Sequence, residues 1–155
     1  MPELFFEDFT AGRVFELGER TLTEADILDF ARVWDPQPFH VDPAAEACAP
    51  FDGVIASGWQ TVCLWMRMYV DAVLSRAAML AAPGVEDIRW LAPVRPGMRL
   101  HGRTTIVEAY IADPAKGRGT LRLRGELVAD DGQAVMTMLA RGHARLREHE
   151  EVLTG

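Results

Sequence analysis

The residues with the clearest chemical potential are Asp35 and His40, five positions apart in Asp35-Pro36-Gln37-Pro38-Phe39-His40. A carboxylate can take a proton from water while an imidazole holds or returns one, provided both reach the same water within hydrogen-bond distance. Two prolines stiffen the stretch, and stiff loops are where sites are built. The plainer alternative is that Asp35 caps a turn and His40 is a loop histidine satisfied by a backbone carbonyl. The second element is Ser57-Gly58, read as the start of a long helix, where unpaired N–H groups and the positive end of the dipole face outward. A glycine there lets a ligand approach the backbone closely. The Gly58 N–H is thus a candidate donor to a carbonyl oxygen that becomes enolate-like, although most such helix starts only cap.

Other side chains carry less. Asp35, His40 and Asp42 have no third partner at regular spacing, so a metal site is not expected. His101 and His143 fall on strand candidates and His149 in a C-terminal tail, where structural or solvated roles are expected. Cys63 has no histidine at helical spacing to activate it. Arg89, Arg95, Arg99, Lys116 and Arg118 could neutralise phosphates, with isolated surface charge as the alternative. Met66 and Met68 read as core.

These residues need elements to position them. A strand is expected over 14–20. A helix follows, capped by Thr23 with Asp26 in its first turn and an apolar face of Ile27, Leu28, Phe30, Ala31 and Val33. Pro36 and Pro38 push their predecessors out of the α region, so the helix must stop by Asp35 and the chain to His40 is expected to be extended. Asp42-Pro43 predicts a short helix over 44–47. Ser57-Gly58-Trp59-Gln60 reads as a capping box opening a helix of about 20 residues, with Val62, Trp65, Met66, Tyr69, Val73 and Leu74 on one flank, ended by Pro83-Gly84. The pattern then changes to period two, predicting strands near 86–93, 99–110, 120–129 and 134–146. A long apolar helix followed by about four antiparallel strands is most simply an α+β domain with the sheet wrapped around the helix. One domain is expected over 1–147, with a flexible tail over 148–155.

Composition bounds the function. The 155 residues are 49% apolar and 25% charged, with a formal charge of −7. Fifteen of the sixteen cations are scattered arginines, so neither nucleic acid nor an anionic membrane surface is an expected partner. The apolar stretch over 59–80 is broken by Arg67, Asp71 and Arg76 and is not a clean membrane span. With no secretory pattern at its start and two unpaired cysteines, Cys48 and Cys63, the chain is expected in the reducing cytoplasm.

The stretch from Asp35 to His40 resembles the Asp-x-Asn-Pro-x-His motif of the MaoC-like dehydratases and (R)-specific enoyl-CoA hydratases, with Gln37 where Asn is usual. The resemblance extends to His40-Val41-Asp42-Pro43, to Ile55-Ala56-Ser57-Gly58, and to Trp90-Leu91-Ala92-Pro93-Val94-Arg95-Pro96-Gly97. It implies a hot-dog fold, a homodimer or dimer of dimers, and a coenzyme A or acyl-carrier thioester as substrate with no separate cofactor and no metal. It also implies Asp35, His40 and Gly58 as catalytic residues, with Ser57, Gln37 and Trp59 binding substrate. In characterised relatives a Ser five residues after the helix-opening Gly helps position the catalytic Asp; that place is Cys63 here, and a thiol is the weaker hydrogen-bond partner. Trp34 stands where Gly is common, adding bulk beside the pocket.

The expected reaction is reversible hydration of a trans-2-enoyl thioester, with Asp35 and His40 acting on one water. Thioester hydrolysis on the same fold and a non-catalytic acyl-thioester-binding subunit are the alternatives. Trp34, Trp59 and Trp65 are expected to give the site a bulky lining.

Overall fold

The computed structural model describes residues 1–148, so of the expected tail all but Glu148, His149 included, lies outside the described residues. Strand β1 (Val14–Thr21) leads into helix α1 (Glu24–Trp34), a one-turn helix α2 (Pro38–Val41), a 3-10 segment (Glu46–Phe51) and the long helix α3 (Gly58–Ala72). Four more strands complete the fold: β2 (Gly84–Trp90), β3 (Arg99–Tyr110), β4 (Arg118–Ala129) and β5 (Ala134–Arg145). They form one antiparallel sheet with β1, of order β1-β3-β4-β5-β2, with β1 and β2 at the edges.

Helix α3 packs on β1, β3, β4 and β5, the hot-dog arrangement of a sheet around a long helix. The strands bury alternate residues: Leu121, Leu123, Gly125, Leu127 and Ala129 of β4 face inward, while Arg122, Arg124 and Glu126 face out. Trp65, Met68, Tyr69 and Val73 enter this core. Gly125 gives the Trp65 ring its place, because a Cβ there would lie 2.5 Å from Cζ2 and 2.8 Å from Nε1. The indole N–H donates to the Arg103 carbonyl at 3.1 Å, so the large apolar ring is buried without an orphaned donor.

Several expectations change. Helix α1 begins on the Thr23–Asp26 reciprocal cap and leaves helical geometry at Asp35, as the prolines require. The stretch from Asp35 to His40 is not extended throughout, because Pro38 sits in the first turn of α2. There its missing N–H costs nothing and its fixed φ suits the helix; proline restricts the residue before it and leaves the residue after it free to be helical. The short helix expected at 44–47 is instead the 3-10 segment, preceded by a turn in which the Asp42 carboxylate accepts from Ala44 N–H at 2.9 Å.

The long helix has 15 residues, ending at Ala72, with a 3-10 turn (Leu74–Arg76) beyond it. Met66 of its expected buried flank is exposed. Its capping box does not form either. Ser57 Oγ accepts weakly from Trp59 N–H at 3.3 Å, while Gln60 Nε2 reaches across to the Asp26 carbonyl at 2.8 Å. Cys48 is buried and Cys63 exposed, both as free thiols. No helix among the described residues is long and apolar enough to cross a membrane.

Candidate active site

The proline-bounded turn between α1 and α2 carries Asp35, and α2 carries His40. Segment 54–57, which leads into α3, runs alongside them: Ile55 N–H donates to the Phe39 carbonyl at 3.1 Å, and Ala56 N–H to the Val94 carbonyl at 2.8 Å. Between these pieces and segment 90–94 lies a cleft of about 470 Å³, within the range of small-ligand sites. Asp35, Gln37, His40, Gly58 and Trp59 line it, together with Phe51, Trp90, Leu91 and Val135.

His40 is 5% exposed, with Phe39 set edge-on against its ring. Its Nδ1 lies 2.7 Å from the Ile55 carbonyl. A carbonyl can only accept, so Nδ1 carries the proton and Nε2 is the nitrogen that can gain or lose one. Nε2 is 3.3 Å from Asp35 Oδ2. That oxygen also accepts from Ser57 Oγ at 2.7 Å, and Oδ1 accepts from Gln37 Nε2 at 2.7 Å. The Ser57 hydroxyl, then Gln37 and the nearby imidazole, hold the Asp35 carboxyl below its ordinary range, against an opposing push from partial burial. A carboxylate and an imidazole nitrogen that can hold or release a proton thus lie side by side, within reach of one water.

Gly58 N–H is the first of α3 and has no intrahelical acceptor. Glycine at this position makes room for Trp90. A Cβ would lie 2.6 Å from Trp90 Nε1 and 2.7 Å from Cδ2, closer still to Cε2. Trp90 in turn meets Trp59 edge to face, with centroids 5.4 Å apart.

Five of the six residues singled out in the sequence line one cleft. Ser57, expected at the substrate, is fully buried and turns its hydroxyl to Asp35. Trp34 is 74% exposed and Trp65 is in the core, so neither supplies the expected lining. Sequence reasoning missed Trp90 and the Ile55 carbonyl. Trp90 stands in a stretch marked by the family resemblance, whereas a backbone acceptor leaves no trace in residue types. Arg89, Arg99 and Lys116 are paired with Asp87, Asp130 and Asp113. Arg95 has no carboxylate partner among the described residues, and its Nε donates to the carbonyl of Phe51 at the cleft. No group of three or more potential metal-ligating side chains gathers among the described residues.

Known proteins resemble this chain in sequence and fold. The pattern of the MaoC like domain matches residues 8–124. The uncharacterized protein YdeM of Bacillus subtilis is 30% identical over 110 residues, spanning 71% of this chain and 76% of that protein. The crystal structure of a MaoC-like dehydratase from Rhodospirillum rubrum superposes with a TM-score of 0.83 at 32% identity, over 93% of this chain and 98% of that one. An R-hydratase from Pseudomonas aeruginosa, 22% identical, shares the fold with a TM-score of 0.72 over 93% of this chain and 87% of its own. With the pattern matched over most of its length and a crystal structure matched over nearly all of it, this chain belongs to the MaoC-like domain family.

Proposed function

We propose that the protein catalyses reversible addition of water to a trans-2-enoyl thioester, yielding a 3-hydroxyacyl thioester. The observation that carries this reading is the 3.3 Å approach of Asp35 Oδ2 to His40 Nε2 in a cleft that Gly58 also lines. Membership in a family that includes dehydratases supports it.

The pair starts with one proton, on His40 Nε2. A water held beside the pair, within hydrogen-bond reach of both side chains, loses a proton to Asp35, and its oxygen bonds to C3. The C2–C3 π electrons move toward the thioester oxygen, where the Gly58 N–H meets the developing charge; such a donor is typically worth about 10²–10³ in rate. His40 then gives its proton to C2, and the proton on Asp35 passes to Nε2 to reset the pair. Ile55 keeps the imidazole in one orientation throughout. Gln37 and Trp59 contact the acyl thioester, and Arg95 meets a phosphate of coenzyme A or of a carrier's phosphopantetheine arm.

The protein acts as a homodimer in the cytoplasm. Edge strand β2 and the residue after it leave Val85, Trp90 and Leu91 exposed, apolar surface of the kind a second copy covers. Incubation with crotonyl-CoA tests the reaction. The enone ultraviolet absorbance should fall with no free thiol released, and Asp35→Asn and His40→Ala variants that fold normally should lose nearly all activity. Release of free thiol would favour thioester hydrolysis instead. Retention of most activity in either variant would remove the assignment.

A further inference from the structure

We propose that Ser57 is the positioning residue of this centre, fixing the base with its hydroxyl and the oxyanion donor with its own peptide group. The inference rests on the reading of Asp35 as the base. Ser57 is fully buried, and its one hydroxyl proton goes to Asp35 Oδ2 at 2.7 Å, the same oxygen that faces His40 Nε2. Its carbonyl accepts from Gln60 N–H at 3.0 Å and Thr61 N–H at 3.2 Å, which fixes the plane of the Ser57–Gly58 peptide. A trans peptide points its N–H opposite to its C=O. Binding of that carbonyl into α3 therefore aims the Gly58 N–H out of the helix start. One residue sets the carboxylate and the donor relative to each other.

The serine position that family resemblance reserves for holding the aspartate is Cys63 in this chain. It is exposed on α3, and its thiol makes no hydrogen bond to Asp35. The task has moved to a residue on the other side of Gly58. The low proton affinity of Asp35, whose leading cause is the Ser57 hydroxyl, agrees.

Carbon NMR of protein with labelled aspartate carboxyls, the Asp35 signal assigned by its loss in Asp35→Asn, tests this without any substrate. In Ser57→Ala the Asp35 titration midpoint should rise toward the ordinary aspartate value, while in Cys63→Ala it should stay at the wild-type value. With crotonyl-CoA, Ser57→Ala should lower kcat about 10–100-fold with KM within about twofold, and its acid limb should move to higher pH. Ser57→Thr, which keeps the hydroxyl, should restore the midpoint. If Ser57→Ala does not fold, Ser57→Gly, a good residue at a helix start, replaces it in the same comparison. An unchanged midpoint in the folded variant, or an equal shift in Cys63→Ala, would overturn the proposal. A shifted midpoint in a protein whose wild type leaves every enoyl thioester untouched would instead keep Ser57's role and remove the hydratase reading.

Discussion

Replacing Gly58 by alanine keeps the backbone N–H and adds one methyl group, so its effect reports on Trp90. The new carbon would lie 2.6–2.7 Å from ring atoms of Trp90, against an optimum of about 3.5–4.0 Å, so the indole must retreat by about 1 Å. Overpacking of this kind costs about 1–3 kcal/mol. Gly58 does not have positive φ, so alanine is unstrained there and returns about 0.4–1 kcal/mol by restricting the unfolded chain. Because Trp90 is 48% exposed on an edge strand, its ring can yield toward solvent, which places the cost in the lower half of that range. The net expectation is a loss of about 0–1.6 kcal/mol, seen as a Tm drop of at most roughly 6 °C. In a Trp90→Ala background the obstacle is gone, and Gly58→Ala should stabilise by about 0.4–1 kcal/mol. Thermal denaturation of the four proteins of this cycle measures both values. Equal effects of Gly58→Ala in the two backgrounds would refute the packing account of this glycine.

Arg95→Ala should raise KM for a coenzyme A thioester about 3–10-fold with kcat little changed, because it removes a charge that meets a part of the substrate remote from the chemistry. Steady-state kinetics with coenzyme A and truncated pantetheine thioesters would show the defect only for the former. Asp130, held at about 2 first by its hydrogen bond to Arg99 and then by His101, is a depressed carboxylate. Its stabilising effect is present above the ordinary value of 3.8 and fades as pH falls through about 2. The Tm difference between wild type and Asp130→Asn should therefore shrink steadily as pH is lowered through that window, and a constant difference would contradict the assignment.

Local rules make much of this molecule readable. Strand β3 coincides with the expected 99–110 because it alternates from Leu100 to Ile106 and resumes pairing past an irregularity between Ile106 and Glu108, and α1 ends where Pro36 restricts Asp35. Helix α3 is shorter than its apolar pattern predicts because apolar residues continue past Ala72. Ala78 is buried in non-helical chain and Met79 bridges to Ala144 of β5, and periodicity cannot distinguish a buried extended segment from a buried helix. Ser57 and Gln60 match a capping box, yet each finds a stronger partner across the fold, at Asp35 and Asp26.

The site shows the same division. Asp35 and His40 are legible because they lie five residues apart on a constrained stretch. The contacts that give them their chemistry, Ser57 to Asp35, His40 to the Ile55 carbonyl and Trp90 on Gly58, join segments that only tertiary packing brings together. Trp34 and Trp65 illustrate the complementary limit: a large aromatic in the sequence does not reveal whether it faces solvent, core or cleft.

Hydration and thioester hydrolysis send water's oxygen to different carbons, C3 and C1, and isotopic labelling reads the difference directly. The enzyme would be incubated with crotonyl-CoA in heavy-oxygen water and the products analysed by mass spectrometry, with Asp35→Asn as the control. Hydration by the Asp35–His40 pair predicts label in the hydroxyl at C3 of an intact 3-hydroxyacyl thioester, and its loss in the variant. Label in a free carboxylate accompanied by released coenzyme A, or equal labelling at C3 by Asp35→Asn, would contradict it.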